Sequence, residues 1–124
     1  MERINYYCMD IFKYIYLEDS FVLSIIDNPQ LLSFNVEFVL AKGHPLYHQP
    51  KENEIYCYKT GFIDFVNPIG LNWEYQNLNF ISIDANDERD LGNIDVFYKE
   101  NNIYFIEGDW GKLSLQCKEI RIRF

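Results

Sequence analysis

Residues 31–40 place Leu32, Phe34, Val36, Phe38 and Leu40 on one side of an extended chain and Ser33, Asn35 and Glu37 on the other. Successive side chains of a strand point to opposite faces, so a period of two marks a β-strand with one face in a core and one toward water. Shorter runs of the same period fill most of the remaining sequence. Residues 1–17 are ambiguous, because Ile4, Cys8, Ile11 and Ile15 also fit one helical face while Tyr14 and Tyr16 suit a strand. The expectation is an all-β, antiparallel domain of eight or nine short strands, either a β-sandwich or a partly closed β-barrel, with a short N-terminal helix left open.

Turn chemistry fixes two hairpins. Asp27-Asn28-Pro29-Gln30 is a tight-turn sequence, and a hairpin centred on it pairs Ile25 with Phe34, Leu23 with Val36 and Phe21 with Phe38, keeping the apolar sets on one face. Asn101-Asn102, two residues that tolerate positive φ, joins residues 94–100 to 103–107 and sets Tyr98 against Phe105 and Phe97 against Ile106. That ribbon is apolar on both faces and is expected at the centre of a sheet. A strand from Glu54 to about Lys59 continues through Phe65, with Gly61 read as a bulge; Pro68 and Gly70 make a turn, and Phe80 to Ile83 forms another short strand. Leu113, Leu115 and Cys117 are odd-numbered, whereas Ile120, Ile122 and Phe124 are even, so a bulge or a break lies near Lys118-Glu119.

Two stretches have no periodicity. Residues 41–53 carry two prolines and a glycine, and residues 84–93 are polar. Loops of this length are uncommon inside compact domains and are frequently functional.

A chain of 124 residues is the size of one domain, and a hydrophobic content of 48% excludes disorder. The formal charge of −8 opposes phosphate backbones and anionic lipid heads, so no nucleic-acid and no membrane partner is expected, while a basic protein would be attracted. Glu2, Arg3, Asp10 and Lys13 interrupt any signal-peptide core, and no apolar run approaches the roughly 18 residues of a membrane span. Cys8, Cys57 and Cys117 are odd in number and lack C-x-x-C spacing, which suits reduced thiols in a cytoplasmic protein.

Three stretches are suggestive together: residues 16–23 (YLEDSFVL); Leu40 through His44-Pro45-Leu46-Tyr47 to Tyr56-Cys57-Tyr58; and Asp90-Leu91-Gly92-Asn93-Ile94-Asp95 with Glu107-Gly108-Asp109-Trp110-Gly111. They resemble a group of short bacterial proteins of unknown function, over roughly residues 14–124. The resemblance implies a bacterial, cytoplasmic, mostly β domain and brings no activity, cofactor or catalytic residue.

Candidate chemistry is sparse. Asp84, Asp87, Glu88 and Asp90, with Asp95 beyond, could supply oxygen ligands to a hard cation, but Arg89 stands where a calcium loop needs glycine and Asp95 where it needs a bidentate glutamate. A solvated acidic loop is the first reading. His44 and His48 are four apart, yet Gly43, Pro45 and Pro50 oppose the helix that would give the spacing meaning, so they are read as loop histidines beside Tyr47. No serine lies in a Gly-x-Ser-x-Gly elbow, and no phosphate-binding or dinucleotide fingerprint is present. Trp110, flanked by glycines, either plugs an end of the fold or is presented to a partner.

No catalytic residue, metal or cofactor is therefore assigned. The leading expectation is a non-enzymatic acidic binding module meeting a basic protein or a small ligand through residues 41–53 and 84–93, with an immunity protein that neutralises a toxin as one concrete version. His44, Tyr47, His48, Asp84, Asp87, Glu88, Asp90 and Trp110 are the candidate contacts. The alternative is a metal-assisted or carboxylate-based hydrolase using the acidic loop at 84–95; a third possibility is a structural subunit of a larger assembly.

Overall fold

In the computed structural model, which describes residues 2–77, 82–83 and 89–124, nearly every period-two run is a strand. In chain order these are β1 (Ile4–Asn5), β2 (Ile15–Asn28), β3 (Leu31–Leu40), β4 (Cys57–Val66), β5 (Ile69–Gln76), β6 (Ser82–Ile83), β7 (Arg89–Asp90), β8 (Ile94–Glu100), β9 (Ile103–Gly108), β10 (Gly111–Gln116) and β11 (Glu119–Arg123). They build two antiparallel sheets, β1-β8-β9-β10-β5 and β11-β4-β3-β2, with β6 and β7 as a separate two-stranded ribbon. No barrel closes among the described residues, so the architecture is the sandwich.

The core lies between the two sheets. Leu32, Phe34, Val36, Phe38 and Leu40 are all buried, and they share one apolar cluster with Ile94, Phe97, Ile106, Leu113 and Leu115 of the opposite sheet. Burying a side chain of this size contributes about 1.5–3 kcal/mol, so this interdigitated layer dominates the stability of the fold. Phe34 sits at its centre, edge-on to Trp110 at 5.0 Å and to Phe65 at 5.8 Å between ring centroids.

The second hairpin forms in the expected register, Phe97 opposite Ile106 and Tyr98 opposite Phe105, with φ of 54° at Asn101 and 64° at Asn102. Its strand β9 occupies the middle of the five-stranded sheet. In the first hairpin Asn28 Oδ1 accepts the backbone N–H groups of Gln30 and Leu31, and Ile25 faces Phe34 as expected.

Further along, that register differs from the expectation. A bulge between Val22 and Ser24 puts Val22 opposite Val36 and Phe21 opposite Glu37, so the predicted Leu23–Val36 and Phe21–Phe38 pairs do not form. A second irregularity spans residues 17–20, where Ser20 Oγ donates to Tyr16 O and accepts the Val39 N–H. The other edge of Val22 is also bonded, its N–H to Gly92 O and its carbonyl to the Leu91 N–H.

Three further expectations are corrected or resolved. The N-terminal segment forms two short 3-10 turns, Tyr6–Cys8 and Asp10–Phe12, in place of a helix. Ile4, Cys8 and Ile11 are exposed while Tyr6, Phe12, Ile15 and Leu17 are buried, and Tyr14 adopts φ 65°, which no helix accommodates. Gly61 is not a bulge: β3 and β4 pair without a shift, and a Cβ there would stand 2.4 Å from the Arg123 carbonyl oxygen. Glycine is needed because β11 passes close by. The phase slip near Lys118 is a break, at which the chain leaves the five-stranded sheet and joins the other.

Candidate interaction surface

The loop expected over residues 41–53 runs on to residue 56, and the strand expected from Glu54 starts only at Cys57; the candidate side chains of this loop are tied down. His44 packs edge-on against Phe124 at 5.4 Å, its Nδ1 accepts the Leu46 N–H, and burial lowers its pKa from the usual histidine value. Tyr47 packs against the core. His48 Nδ1 lies 2.9 Å from Gln49 O, and it is the His48 backbone N–H, not the imidazole, that meets Cys57 Sγ. Among the described residues no group of three or more His, Cys, Asp or Glu is placed to hold a metal ion.

Asp84, Asp87 and Glu88 lie outside the described residues; Asp90 pairs through its backbone with Ser82. The expected 84–93 loop thus carries a short ribbon at Arg89–Asp90. Trp110 is 0% exposed, its indole N–H donating to Asn93 O at 3.0 Å, so it serves the core and is withdrawn as a contact residue. Gly108 makes this possible: a Cβ there would stand 2.2 Å from Asn93 O and 2.4 Å from the indole nitrogen.

The structure gathers chemistry elsewhere, on the outer face of the four-stranded sheet. Register aligns Ile26, Ser33, Asp64 and Arg121 in one row across that face, and Ser24, Asn35, Phe62 and Arg123 in the next. Asp64 is 0% exposed despite facing outward. Its carboxylate accepts from Ser33 Oγ at 2.7 Å and from Arg123 through Nε and Nη2, with Arg121 at 4.0 Å. Burial pushes its pKa up, but the hydrogen bonds from Arg123 and Ser33 and the nearby positive charges prevail and hold it below the usual carboxylate value. The Arg123 guanidinium lies 4.4 Å from the centroid of the Phe62 ring. Asn35 Oδ1 beside it is buried with no hydrogen-bond donor among the described residues.

Further down the same face, Phe21, Glu37 and Thr60 form a third row, and Tyr16, Val39 and Tyr58 a fourth. The Phe21 and Tyr58 rings stack across β3 at 6.5 Å, and Tyr56 meets Tyr58 edge-on at 6.3 Å. The Tyr58 phenol is raised above its ordinary pKa by burial first, then by Glu37, Tyr56, Glu54 and Asp19. Asp19 comes from the irregular part of β2 and Glu54 from the end of the long loop; neither forms an ion pair among the described residues. This end of the face is acidic and aromatic, and Tyr16 is 50% exposed on it.

A second acidic group flanks the 84–95 loop. Asp95 has its pKa raised by burial and then by Asp109 and Glu107, and Glu107 accepts from the Tyr75 hydroxyl at 3.1 Å. It lines neither described surface depression. One, of about 290 Å³, is bordered by Ile4, Met9, Ile11, Tyr104 and Ile120 with Asp10 and Lys99; the other, of about 390 Å³, by Glu2, Ile4, Lys99, Asn101 and Asn102. Each carries a single carboxylate, so neither opposes two acids across a cleft.

Sequence reasoning missed Asp19, Phe21, Glu37, Glu54, Tyr56 and Tyr58 as a group. The alternation of Glu54, Tyr56 and Tyr58 was visible, but bringing it beside residues 19–21 requires the register of three strands. Set against protein-family models, curated proteins and solved structures, the chain matches none.

Proposed function

We propose that the protein is a non-enzymatic binding module that docks a basic protein on the outer face of its four-stranded sheet, at the end bearing Asp19, Glu37 and Glu54. The observation that carries this reading is the strand register, which sets Glu37 beside Phe21 on the outer face one row from Tyr58, where Glu54 and Asp19 add to the negative charge felt by the Tyr58 hydroxyl. A net charge of −8 steers cationic partners to the molecule, and stacked aromatic surface beneath the acids supplies short-range adhesion. Residues 41–56 serve the site by delivering Glu54 and Tyr56 rather than through the histidines.

An immunity protein that blocks a basic toxin is the concrete form this takes, in a bacterial cytoplasm. Three free thiols support a reducing compartment, and burial pushes the Cys117 thiol up to about 11, which keeps it unreactive. No helix among the described residues is long and apolar enough to cross a membrane.

The test is stopped-flow association with a hexa-arginine peptide across a salt series. The rate falls steeply with ionic strength, and Asp19→Asn and Glu54→Gln each weaken binding about two- to fivefold. Salt-insensitive association, or variants that bind as well as the parent, would remove the proposal. A second reading, a carboxylate-based hydrolase at the 84–95 loop, draws support from the raised Asp95 pKa alone. It requires a hydrolytic activity that Asp95→Asn abolishes, and an activity untouched by that change would end it.

A further inference from the structure

The outward faces of both sheets repeat one arrangement. On the four-stranded sheet Arg123 lies over the Phe62 ring and is paired with Asp64. On the five-stranded sheet the Arg3 guanidinium lies 3.9 Å from the centroid of Tyr98, with Glu100 at 3.9 Å. In each case an aromatic ring presents its negative face to a planar cation, and a carboxylate offsets the charge. The Phe21–Tyr58 stack has the same ingredients, rings with the carboxylates of Asp19 and Glu54 nearby, but among the described residues no cation covers either ring.

We infer that the partner supplies the cation as an arginine side chain, stacked on the Phe21–Tyr58 ring pair within reach of Asp19 and Glu54. This rests on the docking face proposed above and names its anchor. Arginine fits better than lysine because the two half-buried rings lie nearly parallel, their planes 29° apart, and a planar guanidinium stacks on an aromatic face of this kind. Stacked on one ring it still directs N–H groups sideways to carboxylates, whereas an ammonium is a strongly hydrated point charge.

The experiment compares hexa-arginine, hexa-lysine and hexa-citrulline peptides by titration calorimetry at one salt concentration, on the parent chain and on Tyr58→Leu and Phe21→Leu. The parent binds hexa-arginine about three- to fivefold more tightly than hexa-lysine and does not bind the neutral citrulline peptide. Either ring variant brings hexa-arginine down to the hexa-lysine level, while Asp19→Asn and Glu54→Gln weaken both cationic peptides alike. Should one ring variant fail to fold, the other decides. Equal affinity for the two cationic peptides, or an arginine preference that survives ring removal, overturns the anchor and leaves the acidic docking face standing. Failure of the parent to bind either cationic peptide overturns both.

Discussion

Two buried polar side chains show how much single residues hold in this sandwich. Tyr6 sends its hydroxyl to Glu18 Oε2 and accepts the buried Leu17 N–H at 3.1 Å, tying the N-terminal turns to β2. Tyr6→Phe strands that amide and is expected to cost about 1–3 kcal/mol in urea unfolding. Burial, together with the hydrogen bond to Glu18, also lifts the Tyr6 phenol far above its ordinary value of 10.0. Above that pH the unfolded chain releases a proton that the folded one retains, so Tyr6 makes stability fall on the alkaline side. Asp64 acts on the acid side with the opposite sign. Its folded pKa lies below the ordinary 3.8, so on acidification the unfolded chain binds a proton first. The stability Asp64 contributes is present above pH 3.8 and is lost as pH falls through the folded value. Asp64→Asn is expected to flatten that acid limb in denaturant midpoints measured across pH, and an unaltered limb would refute the role. The register of β4 sets Asp64 on the outer face, opposite Ser33 and Arg121. Its burial was not legible, because it depends on donors 31 and 59 positions away along the chain.

At the level of elements, what alternation and turn residues dictate came through, and what neighbouring strands impose did not. The Asn101-Asn102 ribbon was legible to the residue because both determinants, period two and positive φ, are local. The bulges of β2 were not, since Ser20 and Val22 satisfy backbone groups of β3 and of residues 91–92 that only the assembled sheet brings near. Gly61 looked like a local irregularity and is in fact a contact requirement set by the last strand. Gly61→Ala forces β11 away from β4, since a Cβ 2.4 Å from the Arg123 carbonyl oxygen cannot be accommodated. The expected loss is about 1–3 kcal/mol, with faster hydrogen exchange at the β11 amides that pair with β4. Unchanged exchange there would show that the strand tolerates the methyl group.

For the whole molecule, the sandwich follows from the sorting of side chains into a shared interior, which the pattern of residues 32–40 already displayed. The interaction surface follows from something alternation cannot convey: which outward residues of separate strands end up abreast. Attention to the aperiodic loops led toward His44, Tyr47 and His48, which the fold turns to packing and local hydrogen bonds. The acids and aromatics that converge come from β2, β3, β4 and the loop end. Two acidic regions therefore compete for a cationic partner, the Asp19–Glu37–Glu54 face and the Asp95–Glu107–Asp109 group. Amide chemical-shift mapping during titration with hexa-arginine separates them. Perturbations confined to residues around 16–21, 37 and 54–60 are expected, and perturbations centred on residues 89–95 and 107–109, or scattered evenly over the surface, would contradict the assignment of the binding face.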